Sequence, residues 1–63
     1  MAMSLKAARI DAEKTQRETA VYVGKTKETI RNYESYKSKP GIETARKLAE
    51  FYGRSVDEIR WSK

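Results

Sequence analysis

Between Lys27 and Asn32 the chain places several hydrogen-bonding side chains in one short stretch: Lys27, Glu28, Arg31 and Asn32. At about 100° per residue of helix, Glu28, Arg31 and Asn32 fall opposite Ile30 and Tyr33, with Lys27 at the edge. A face of this kind can read base edges. A lysine ammonium suits the acceptors of guanine, an asparagine amide pairs with adenine, and a glutamate accepts from the amino group of cytosine. Each residue also has an ordinary use. Glu28 compensates the dipole at a helix N-terminus, where Lys27 is electrostatically out of place. Asn32 has poor helix propensity. Arg31 suits a phosphate or a mobile contact, and Thr26 and Thr29 lie beside the set.

Other chemistry has few carriers. The chain has no cysteine and no histidine. That excludes disulfides and cysteine metal sites, and it removes the commonest general base and metal ligand. Glu13, Asp57 and Glu58 form no acid–base pair, and Asp57 and Glu58 read as first-turn helix charges. With no glycine-rich phosphate loop either, no enzyme activity, cofactor or metal is expected. The net charge of +5 and a pI near 9.7 fit either attraction to a polyanion or a solvated surface. No apolar run approaches the ~18 residues of a membrane span. The stretch Met1 to Lys6 has too little apolar length for a secretory signal. A cytoplasmic protein without a membrane partner is expected.

Sixty-three residues make one domain. Its core is marginal, since so short a chain buries only about 60% of its unfolded surface; oligomerisation or a partner often adds stability. Ser4 can cap a first helix over about 5–13. Arg9 stands on its inner face with Leu5, Ala8 and Ala12, and needs a partner. Thr15 to Glu18 is a capping box opening a helix over 16–23, with Ala20 and Val23 inward and Gly24 as the stop. Thr26 caps the helix over 27–34.

A loop from Ser35 to Pro40 carries Lys37 and Lys39. The stripe Ile42, Ala45, Leu48, Ala49 and Tyr52 predicts a helix over 42–52, with Phe51 off the stripe and Gly53 ending it. A second capping box, Ser55 to Glu58, predicts a last helix over 56–61 with Val56 and Ile59 inward. Five short helices and no strand pattern predict an all-α bundle.

Two short helices joined by a glycine turn are the core of a helix-turn-helix. The run Gln16 to Ala20, then Val23-Gly24, Thr26, Ile30, Glu34 and Pro40, resembles the lambdoid phage repressor and Cro type (XRE-like) of that motif. The likeness continues through Leu48-Ala49, Gly53, Ser55 to Asp57 and Ile59, and rests on the joint spacing. It implies a compact five-helix domain, like that of lambda repressor, that binds double-stranded, palindromic operator DNA in transcription regulation. Members usually bind as symmetric homodimers.

By position, Gln16 resembles the glutamine that bonds a phosphate and buttresses the recognition helix. Lys27, Glu28 and Asn32 match base-reading positions, with Thr29 and Arg31 alongside. Ser35, Lys37 and Lys39 resemble the phosphate-gripping loop, and Thr26 is a further phosphate candidate. Arg9 and Glu34 match a pair that forms an ion bridge between the first and third helices. Two residues depart from the pattern. Thr19 stands where leucine is usual, which implies a thinner core. Tyr36 stands where glycine is usual, which implies a different loop path. A second reading is a protein-interaction module, antitoxin-type or anti-repressor-binding. Phe51 and Trp61 would be its regulatory-partner surface, where otherwise they only pack locally.

Overall fold

The computed structural model describes residues 2–63. Four α-helices follow one another: α1 (Leu5–Asp11), α2 (Gln16–Val23), α3 (Lys27–Glu34) and α4 (Ile42–Phe51). Three starts are fixed by side chains. Ser4 Oγ accepts from the Ala7 N–H (3.0 Å) and Thr26 Oγ1 from the Thr29 N–H (3.2 Å). At α2, Thr15 and Glu18 bond reciprocally at 3.0 and 2.8 Å. Gly41 precedes α4 with no side-chain cap.

All four helices end in the same way. A left-handed residue closes each one, at φ 58° for Glu13, 72° for Gly24, 62° for Tyr36 and 69° for Gly53. The next amide then reaches back over the last turn: Lys14 to Arg9, Lys25 to Ala20, Lys37 to Asn32 and Arg54 to Ala49, at 2.9–3.1 Å. This paired closure satisfies carbonyls that the helix leaves open. It also shows that α1 stops at Asp11, short of the expected Glu13, because Glu13 has turned left-handed.

The expected fifth helix over 56–61 does not form, and the chain is not free of strands. Val56–Glu58 make one 3-10 turn, and Ile59–Arg60 are extended as β2. The physical reason lies at the Val56 carbonyl. It accepts from the Ile59 N–H and from Trp61 Nε1 (3.0 Å), so it is taken before an α-helical bond to residue 60 can form. β2 pairs in parallel with β1 (Met3–Ser4), Met3 opposite Ile59 and Ser4 opposite Arg60. The fold is therefore a mainly helical bundle of four helices, tied at its ends by a two-stranded ribbon.

Leu5, Ala8, Ala20, Val23, Ile30, Tyr33, Leu48, Ala49, Tyr52 and Ile59 make the core. Thr19 is fully buried among them. Its hydroxyl donates to the Thr15 carbonyl (2.8 Å) and accepts from Tyr52 Oη (3.1 Å). A polar bridge between α2 and α4 therefore fills the place where a leucine side chain is usual.

Ile42 does not join the core stripe on which its spacing puts it, and it is 67% exposed. Side chains on a helix lean toward its N-terminus. From the first position of α4 Ile42 leans off the packed end. α4 itself ends at Phe51 rather than Tyr52. Among the described residues, no helix is long and apolar enough to cross a membrane.

Candidate nucleic-acid interface

α3 is anchored from behind by a buried polar knot. Arg9 Nε donates to Glu34 Oε2 (2.6 Å), its second terminal nitrogen lies 3.4 Å from Oε1, and the third donates to the Lys14 carbonyl (2.9 Å). The two side chains are only 13% and 5% exposed. Gln16 Nε2 donates to Glu34 Oε1 (3.0 Å). One carboxylate at the end of α3 thus gathers side chains from α1 and from the first position of α2. Gln16 is half-buried, and its second amide hydrogen is left for another acceptor.

The outward face of α3 follows from this anchoring and from Ile30 and Tyr33, which are buried. Lys27, Glu28 and Arg31 are exposed, while Thr29 and Asn32 are half-buried. Glu28 and Arg31 pair with each other at 3.3 Å, both well exposed. Their mutual neutralisation keeps the carboxylate from repelling a polyanion outright. Lys27 has no ion-pair partner among the described residues. Thr26 and Thr29 share a hydroxyl contact of 2.9 Å at the helix start. The amides of Lys27 and Glu28 have no acceptor within the helix, so this end favours an anion.

Beyond α3, Ser35 Oγ donates to the Asn32 carbonyl (3.3 Å), which also receives the amides of Lys37 and Ser38. Tyr36 takes the left-handed angle itself, so the loop keeps the backbone conformation that a glycine would adopt. The different path expected from the missing glycine is not found. The Schellman closure on Asn32 holds the angle, and Tyr36 Oη donates to the Arg60 carbonyl (3.3 Å). Lys37 and Lys39 project into solvent from this loop. From Lys25 to Lys39 the chain carries five cations and two carboxylates, and both carboxylates are already paired.

Phe51 and Trp61 make separate contacts. Phe51 stacks on Tyr22 with centroids 4.3 Å apart, with Lys14 Nζ 4.8 Å over its ring. Trp61 instead fastens to Val56. The Tyr22–Phe51 stack, Val21, Arg17 and Glu18 line an open apolar cleft on α2 and α4. Spacing gave no sign of Tyr22 meeting Phe51, because the two lie on different helices.

A family model described as helix-turn-helix matches residues 5–59. The chain belongs to this helix-turn-helix family. The matched span runs from the first residue of α1 to the first residue of β2, so it takes in all four helices and the 3-10 turn. The domain is thus of the XRE type, a DNA-binding regulatory class and not a catalytic one. Neither the curated proteins nor the solved structures yield a match.

Proposed function

We propose that this helix-turn-helix domain is a transcriptional regulator, a repressor of phage or bacterial type. It would read a palindromic operator as a homodimer with α3 in the major groove. The observation that carries this is the amphipathic α3: its inner face is clamped through Glu34 and its outer face is cationic and hydrogen-bonding. Phosphate contacts set position and base contacts set sequence. Gln16, Thr26, Ser35, Lys37 and Lys39 serve the first task. Lys27 and Asn32 serve the second, with Thr29 and the Glu28–Arg31 pair beside them. Lys27 would face a guanine and Asn32 an adenine. Two copies would stand roughly 34 Å apart, one helical turn of the duplex.

The test is selection of binding sites from a random duplex pool at two salt concentrations. A palindrome whose affinity falls steeply with salt supports the reading. Lys27→Ala should then cost about 1–3 kcal/mol and relax a single base position. Salt-independent or motif-free binding overturns it. The second reading, a protein-interaction module, is favoured by the apolar cleft of Val21, Tyr22 and Phe51, where Val21 is 78% exposed.

A further inference from the structure

The loop that carries Lys37 and Lys39 is fastened to a residue far away in the sequence. Tyr36 Oη donates to the Arg60 carbonyl (3.3 Å), and the Arg60 guanidinium carbon lies 5.9 Å from the centroid of the Tyr36 ring. Arg60 belongs to β2, whose preceding residue, Ile59, is buried. Alternation along a strand then turns the Arg60 side chain outward, and it is exposed. No carboxylate pairs with it among the described residues. Its charge therefore rests on the ring of the residue next to Lys37.

We infer that Arg60 is a further DNA phosphate contact, positioned by Tyr36 at the edge of the Lys37–Lys39 loop. This inference rests on the reading of that loop as phosphate-gripping. Three observations converge on it. An unpaired guanidinium suits phosphate, which it can bind bidentately. A cation held over an aromatic face is pre-oriented and loses less freedom on binding. And the left-handed Tyr36 is what points its ring toward β2, since a glycine at this position would leave the loop the same backbone but no side chain to carry Arg60. The cationic rim thus gains a member from the terminal ribbon, outside the helix pair and its loop.

The test is the salt dependence of binding to a mixed-sequence DNA duplex. Each lost phosphate contact lowers the log–log slope by about 0.9. Arg60→Ala should lower it by about that amount with base preference unchanged. Tyr36→Leu, confirmed as folded by circular dichroism, should also lower it. The double variant should fall no further than Arg60→Ala alone, because the ring acts through the guanidinium. An Arg60→Ala slope equal to the parent's overturns the inference, and so does strict additivity of the two changes. Lys39→Ala separates the two levels. If it flattens the slope and Arg60→Ala does not, only this inference fails. If neither does, the loop reading fails and takes the inference with it.

Discussion

Arg9 uses three nitrogens on two acceptors, the Glu34 carboxylate and the Lys14 carbonyl. Removing such a side chain leaves a nearly covered carboxylate with only Gln16 for a partner, and breaking a buried pair on one side costs about 3–5 kcal/mol. Arg17 is exposed and takes part in no ion pair among the described residues. Arg9→Ala should therefore lower the urea midpoint sharply while Arg17→Ala leaves it almost unmoved. Equal midpoints would remove the knot from the account of how α3 is held. A lone arginine among Leu5, Ala8 and Ala12 signals in the sequence that it needs a partner. Periodicity does not say which partner, because Glu34 lies 25 residues on; only positional likeness to a family points there. The Glu28–Arg31 pair carries an ordinary i, i+3 spacing, yet nothing in the sequence decides whether those side chains face each other or a ligand.

The helices show the same division between what composition reveals and what it hides. Thr15, Glu18, Gly24 and Thr26 mark ends that any reader of caps can find, because a capping hydroxyl and a left-handed glycine have compositional signatures. Glu13 and Tyr36 close α1 and α3 with the same geometry and no such signature. A left-handed non-glycine residue costs about 1–2 kcal/mol; glycine avoids this but loses about 0.5–1 kcal/mol more on ordering. Glu13→Gly should thus stabilise the domain by a few tenths to about 1 kcal/mol, read as a higher thermal midpoint. A lowered midpoint would show that Glu13 makes contacts that outweigh its backbone angle. Tyr36→Gly should gain less, because it also gives up the contacts with Arg60. The last segment departs from the expected helix for a related reason. The capping box of Ser55 and Glu58 is present, but a box opens a turn without stating how long the turn runs.

Across the whole molecule, two capping carboxylates and two tyrosines give the stability of the fold a dependence on pH. Glu18 sits below the usual glutamate range, chiefly because its carboxylate accepts the Thr15 N–H, and Glu58 does so chiefly through the Ser55 N–H. A depressed carboxylate contributes stability at pH values above its unfolded pKa, and the contribution is lost as pH falls through the folded value. Tyr52 is pushed up mainly by burial, and Tyr22 mainly by its bond to Glu50. Those contributions are present below the ordinary tyrosine range and vanish as pH rises through the raised values. Stability should hold at neutral pH, decline in acid below the usual glutamate range and decline again in strong alkali. Urea midpoints at neutral and acid pH check the first limb. The variant Glu18→Gln with Glu58→Gln should lose less between them than the parent does, and an unchanged acid limb would remove the caps from the explanation.

The parallel pairing of β1 with β2 also has a mechanical side. A pull on the two chain ends would load both strands along their length, so the bonds between Met3–Ser4 and Ile59–Arg60 would share the tension instead of opening in sequence. The ribbon is thus the first part of the fold to feel a force applied at the ends. Arg60 would be drawn off the ring of Tyr36 while α2 and α3 were still packed, so tension would reach the Lys37–Lys39 loop before it reached the helices.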